Sequence, residues 1–195
     1  VTGVQTCALQ IYSAHADLPP AFADCMRGNN QNISMSALQE IAKVTRVTYC
    51  QNQFGINTKT DLQELLKNRN AQVAISLDKT TYTREDLLDL AKSGSFVVYV
   101  DSNRMAKADL IDLARAGIQL AVMSAGSNLA RTDLLDIARA KPFIYNVNSA
   151  VLKSDLVELV NLGVQVVIRS SQSALSSADI IEVAKLNRDL VTVMP

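Results

Sequence analysis

Few side chains in this chain have the types and spacing that catalysis or metal binding needs. Its single histidine is His15. Ser-His-Asp and Cys-His nucleophile sets, and His-containing metal sites, all require a histidine beside their other members. No Gly-rich phosphate loop occurs. Asp101-Ser102-Asn103 and Asn148-Ser149 fall in turns between a strand-like and a helix-like stretch, where they could hold a cation weakly. Turn residues making local hydrogen bonds are the stronger expectation there. A column of acids, Asp61, Asp86, Asp109, Asp133, Asp155 and Asp179, could attract a divalent ion, but a helix-capping role accounts for each one. The expectation is therefore no catalytic residue, no metal and no cofactor. The best candidates for recognition are three large aromatics, Phe96, Phe143 and Tyr145, flanked by Gln119 and Gln165.

Those acids belong to a repeat. Asp86-Leu-Leu-Asp-Leu-Ala91 returns as Asp109-Leu-Ile-Asp-Leu-Ala114, Asp133-Leu-Leu-Asp-Ile-Ala138, Asp155-Leu-Val-Glu-Leu-Val160 and Asp179-Ile-Ile-Glu-Val-Ala184. An earlier copy starts at Asp61 and a degenerate one at Ala37. A period of about 24 residues marks a stack of supersecondary units, each burying its apolar face on its neighbours.

The grammar of one unit is physical. Thr58, Thr83 and Ser176 stand three residues before Asp61, Asp86 and Asp179, as in a capping box. Tyr82, Met105, Leu129 and Leu175 can staple the helix start onto its first turn, even where the cap is Ala106 or Ala130. Leu87, Leu110, Leu134, Leu156 and Ile180 head the apolar stripe of each helix. Gly94, Gly117 and Gly163 stand where a left-handed helix exit is needed, and Asn187 is expected to substitute. Lys141-Pro142 ends its helix by another route. Asp89, Asp112, Asp136 and Glu182 each precede a base by three residues (Lys92, Arg115, Arg139, Lys185), which predicts exposed pairs within each helix.

After each exit comes a β-branched or aromatic run: Phe96–Val100, Leu120–Met123, Phe143–Val147, Val166–Arg169 and Leu190–Met194. Strands alternating with helices over short links imply parallel strands. The predicted fold is an α/β solenoid of about seven units, with one parallel sheet and the helices on one side. The register Val97, Leu120, Ile144, Val166 and Leu190 is uniformly aliphatic and is assigned to the core. Its neighbour, Val98, Ala121, Tyr145, Val167 and Val191, is nearly as apolar, as in strands buried on both faces. This assignment places Phe96, Phe143, Tyr145, Gln119 and Gln165 on an open strand face. The period and the strand-helix order resemble leucine-rich repeats. The resemblance extends no further, because the Leu-x-x-Leu-x-Leu-x-x-Asn signature of that family is absent and the repeated element here is the helix. It implies the solenoid fold and carries over no functional residue.

The ends read differently from the repeat. Residues 1–11 resemble a translated sequencing adapter, Val-Thr-Gly-Val-Gln-Thr-Cys-Ala-Leu-Pro-Ile, with a difference only at Gln10, and are set aside as an artefact together with Cys7. Residues 12–16 contain Ala14-His15-Ala16, an Ala-x-Ala cleavage pattern, and read as the remnant of a secretory signal peptide. Residues 17–32 are expected to be an N-terminal cap, and 33–195 the solenoid, truncated at its C-terminal end. In an exported protein Cys25 and Cys50 would pair as a disulfide. Lys and Arg number 19, as do Asp and Glu, so the net charge is zero and the footprint of a nucleic-acid binder is missing. No apolar run is long enough to cross a bilayer. The composite expectation is a bacterial, periplasmic or secreted, non-enzymatic scaffold that binds a protein or cell-envelope partner. Alternatives are a fragment of an enzyme whose active part lies elsewhere and a structural spacer.

Overall fold

The computed structural model describes residues 33–52 and 57–194. Residues 1–32, with His15, Cys25 and the expected adapter segment, leader remnant and N-terminal cap, lie outside the described residues. Among the described residues seven helices alternate with seven strands. They are α1 (Met35–Ala42), β1 (Val47–Gln51), α2 (Lys59–Leu66), β2 (Ala71–Ser76), α3 (Arg84–Ala91), β3 (Phe96–Val100) and α4 (Lys107–Arg115). There follow β4 (Gln119–Met123), α5 (Arg131–Ala140), β5 (Ile144–Val147), α6 (Lys153–Asn161), β6 (Gln165–Arg169), α7 (Ser177–Leu186) and β7 (Val191–Met194). The strands form one sheet in the order β1 to β7, and every neighbouring pair is parallel. Each unit therefore touches mainly the units before and after it, as a solenoid requires.

Local chemistry starts each helix. Thr58, Thr83 and Ser176 accept the backbone N–H of Asp61, Asp86 and Asp179, whose carboxylates accept the N–H of the cap residue in return. Ala106 and Ala130 have no side-chain oxygen to offer, yet Asp109 and Asp133 still accept their backbone N–H at 3.3 and 3.1 Å. The acid thus does half the capping work alone, and it sits at the positive end of the helix. Tyr82, Met105, Leu129 and Leu175 all pack against the core from just before their caps, as a staple does.

One hydrophobic core lies between sheet and helices. Leu62, Leu87, Leu110, Leu134 and Leu156 meet Val73, Ile75, Val98, Leu120, Val122 and Val166 there. The opposite sheet face carries a separate cluster, Ala74, Val97, Tyr99, Ala121, Ile144 and Val167, to which no described helix contributes.

This arrangement corrects the predicted register. Leu120 and Val166 do point to the helices, but Val97 and Ile144 point away. Leu190 packs against the helix-side core just before β7 begins. The ladders are Val98↔Leu120 and Val122↔Tyr145↔Val166↔Val191 on the helix side. On the far side run Ala74↔Val97↔Gln119 and Tyr99↔Ala121↔Ile144↔Gln165.

The reason is the helix exit. Gly117 and Gly163 have φ of 97° and 83°, left-handed values that turn the chain quickly into the next strand. Gly94 has no such φ. Its place is dictated by close approach, since an added Cβ would run into the Leu66 carbonyl oxygen. Asn187 is extended rather than left-handed, contrary to expectation, and so is Lys141 ahead of Pro142. Inward-facing Val98, Tyr145 and Val191 accordingly stand one residue further from Asp86, Asp133 and Asp179 than Leu120 and Val166 do from Asp109 and Asp155. A shift of one residue exchanges the faces of a strand.

Ion pairs join units rather than merely decorating single helices. The first residue of one helix reaches two acids of the next: Lys59 to Asp86 (3.0 Å) and Asp89 (3.4 Å), and Lys107 to Asp136 (2.9 Å) and Asp133 (3.2 Å). Arg84 does the same with Asp112 and Asp109, Arg131 with Glu158 and Asp155, and Lys153 with Glu182 and Asp179. Of the predicted pairs inside helices, Asp89–Lys92 and Asp136–Arg139 form. Asp112 and Glu182 are held instead by the base on the preceding helix.

Candidate functional site

Parallel strands present two faces, and only one is taken by the described helices. The outer face is built from alternate residues of each strand. Its middle is small and apolar: Ala74 on β2, Val97 and Tyr99 on β3, Ala121 on β4, Ile144 on β5 and Val167 on β6. Around this strip stand polar side chains: Gln119, which pairs with Val97, Gln165, which pairs with Ile144, and Asn146 between Met123 and Val167. Thr192 continues the last ladder onto β7.

The five predicted recognition residues divide between the two faces. Gln119 and Gln165 are on the outer face, where Gln119 is half-buried and donates to the Leu120 carbonyl at 3.2 Å. Phe96, Phe143 and Tyr145 are not there. They are 4, 2 and 6% exposed and belong to the helix-side core. Phe143 and Tyr145 meet edge to face with ring centroids 6.3 Å apart. Burial pushes the Tyr145 phenol up to about 12. The expectation of an outward aromatic patch is therefore corrected: the same one-residue parity error that misplaced Val97 carried the aromatics to the wrong side.

The residues that sequence reasoning missed are those next to the aromatics. Val97, Ile144 and Asn146 are their immediate or near neighbours along the strand, and alternation sends them outward. The legible signal was the exit type, a left-handed glycine in two units and its absence in the others.

Several polar atoms on this face are buried without a hydrogen-bond partner: Oε1 of Gln72, Oδ1 of Asn146 and Nε of Arg169. Asn146 uses its amide nitrogen on Met123 Sδ at 3.3 Å. Buried acceptors and donors left unpaired are costly. Thr48, Tyr99, Gln119, Gln165 and Thr192 each have a partner.

The rim at the C-terminal ends of the strands is tied up locally. Asp101 accepts Ser76 Oγ at 2.6 Å and the Asp78 N–H at 2.9 Å. Asn148 Oδ1 accepts the Ala125 N–H at 2.8 Å and Ser124 Oγ at 3.1 Å. These are turn-stabilising bonds that use the same oxygens a cation would need. Among the described residues no group of three or more His, Cys, Asp or Glu side chains converges as a metal site would.

The acid column also has an occupation. Asp86 and Asp179 take hydrogen bonds from their caps and from Lys59 and Lys153, and both carboxyls are held below the usual carboxylate range. Lys107 beside Asp136 lowers that carboxyl and is itself raised. Five of its six acids, Asp86, Asp109, Asp133, Asp155 and Asp179, pair with a base from the preceding helix, and Asp61 is held by Thr58 alone. No family model matches the chain, and no curated protein matches it either.

Proposed function

We propose that this protein is a non-enzymatic interaction scaffold of an exported compartment, periplasmic or secreted, and that it binds a protein or cell-envelope partner through the outer strand face. The observation that carries the reading is the face itself: an apolar strip, rimmed by carboxamides, on the side of the sheet that the described helices leave alone. Depletion of charge at the centre with polar groups at the rim is the composition of a recognition surface. Gln119 and Gln165 remain in the proposed site, and the half-buried Gln72, Met123 and Thr192 of the same face take the place of the aromatics. The Ala14-x-Ala16 pattern and a Cys25–Cys50 disulfide are part of the same reading of an exported chain.

The test is retention of envelope proteins on the immobilised chain. Gln119→Arg places a cation on the face at a half-buried position, whereas Arg139→Ala alters only an exposed residue of α5. The reading expects a partner retained by the wild type and by Arg139→Ala and lost with Gln119→Arg. Retention unchanged in Gln119→Arg, with the protein folded, would contradict it.

A further inference from the structure

Every strand is parallel to its neighbours and every helix carries the chain back. All helix-to-strand links therefore emerge on one rim of the solenoid and all strand-to-helix links on the other. The two rims differ in charge. Among the described residues the strand-to-helix links hold Lys79 and Arg104 against Asp78 and Asp101, which balance. The helix-to-strand links are basic, and Asp189 is the sole acid in them. A net charge of zero over the whole chain hides this asymmetry.

Most bases of the basic rim have a local duty. Lys43, Lys67 and Lys92 each sit beside an acid of their own helix. Arg115 and Lys185 stand in the last turns of α4 and α7, where a cation complements the helix dipole. Lys141 donates to the Gly117 carbonyl at 2.9 Å. Arg46 and Arg69 have no such duty. They lie beyond the helix ends, just ahead of β1 and β2, they are exposed, and no described carboxylate reaches them. In later units Ser95, Ile118 and Val164 stand directly ahead of the strand, so the repeat does not call for a base there.

Apolar tips share this rim. Val44, between Lys43 and Arg46, is 83% exposed, and Leu186, beside Lys185, is 45% exposed. Pro142, beside Lys141, is exposed as well. A soluble polyanion would use the bases and gain nothing from these side chains. A bilayer surface uses both, because anionic head groups take the cations while apolar tips enter the interface beneath them.

We propose that the helix-to-strand rim is a docking edge for an anionic phospholipid membrane, with the β1–β2 end, around Val44, Arg46 and Arg69, as its strongest point. The contact is peripheral, and no described helix is long and apolar enough to cross a bilayer. The outer strand face is a different surface and takes no part, so this proposal and the partner site fall separately.

The experiment sediments the full chain with vesicles of phosphatidylcholine, alone or mixed with phosphatidylglycerol, at low salt. The proposal expects binding to the mixed vesicles only, weakening as salt rises. A base at an anionic surface is worth about fivefold in partitioning, so Arg69→Gln should lose about fivefold, and Arg46→Gln combined with Arg69→Gln about twenty-five-fold. Lys79→Gln removes the same charge from an exposed position on the opposite rim and should bind like the wild type. Val44→Ser should weaken vesicle binding a few fold while leaving binding of soluble polyphosphate unchanged. All four positions are exposed, and circular dichroism checks that each variant is folded. No binding to mixed vesicles, equal binding to pure phosphatidylcholine, or the same loss from Lys79→Gln as from Arg69→Gln would overturn the proposal. So would a Val44→Ser protein that binds vesicles like the wild type, since the rim would then be a site for soluble polyanions.

Discussion

Replacing Gly117 and Gly94 by alanine probes the helix exits that decide which residues face the core. Gly117 has φ of 97° and no heavy atom within 4 Å of where a Cβ would stand. Its substitution costs backbone conformation only. A left-handed L-residue costs about 1–2 kcal/mol, and the stiffer unfolded chain returns roughly 0.4–1 kcal/mol. The net is a loss of about 1 kcal/mol, or roughly 2–4 °C in Tm for a chain of this size. Asparagine tolerates the left-handed region and should lose less than alanine. Gly94 obeys the opposite logic. Its backbone conformation suits any residue, but a Cβ would overlap the Leu66 carbonyl of the neighbouring unit. Backbone against backbone cannot yield cheaply, so Gly94→Ala should lose more than about 3 kcal/mol, in the diagnostic tail of single substitutions. Gly94→Asn should be no better. The assay is urea unfolding followed by circular dichroism, since the chain has no tryptophan. The expected order of loss is Gly117→Asn, then Gly117→Ala, then both Gly94 variants. Gly117→Ala proving worse than Gly94→Ala would refute the account of the exits.

Leu110→Ala removes a fully buried side chain of the helix-side core and should cost about 2–5 kcal/mol in the same assay. Lys107→Met removes one staple between exposed acids; the loss should be small and should shrink further in high salt, whereas a loss that high salt leaves unchanged would contradict an electrostatic role. Asp61, Asp86, Asp89, Asp136 and Asp179 have carboxyls held below their ordinary range, so their contribution is present above about pH 4 and is lost as pH falls through their lower folded values. Stability measured from pH 6 downward should therefore hold to about pH 4 and decline below it; a decline already complete at pH 5 would contradict this. In a phenol absorbance titration Tyr82 and Tyr145, both raised chiefly by burial, should ionise only at about 12, and Tyr145→Phe should reduce that late step while leaving the part due to Tyr82.

The architecture was readable because the repeat states it many times. Each capping Thr or Ser, each frame Asp and each following Leu is a local choice agreeing with the same unit, and the helices form where those residues stand. The strand face was harder to read. Both faces of β3 are apolar, so Phe96–Val100 offers no alternation of apolar and polar residues to orient it. Orientation then hangs on one residue in the link, and the links differ: left-handed Gly117 and Gly163, extended Lys141 and Asn187. Counting a uniform frame across unequal links placed Phe143 outward and Ile144 inward, the reverse of what is found. The ion-pair ladder was half legible. The acids were seen, but a base at the first helical position of one unit and acids on the next are about 27 residues apart in sequence, and only the stacking of units brings them together.

The central claim is that the outer strand face recognises a partner while the aromatics serve the core. Its most direct test sets Phe143→Ser beside Gln119→Arg, each taken through a thermal melt and the same envelope-protein retention assay. The account predicts that Phe143→Ser is destabilised at least as much as Leu110→Ala, by about 3–5 kcal/mol. It predicts that Gln119→Arg melts close to the wild type and fails to retain the partner. A Phe143→Ser protein that melts like the wild type and loses the partner, beside a Gln119→Arg protein that keeps it, would contradict the claim.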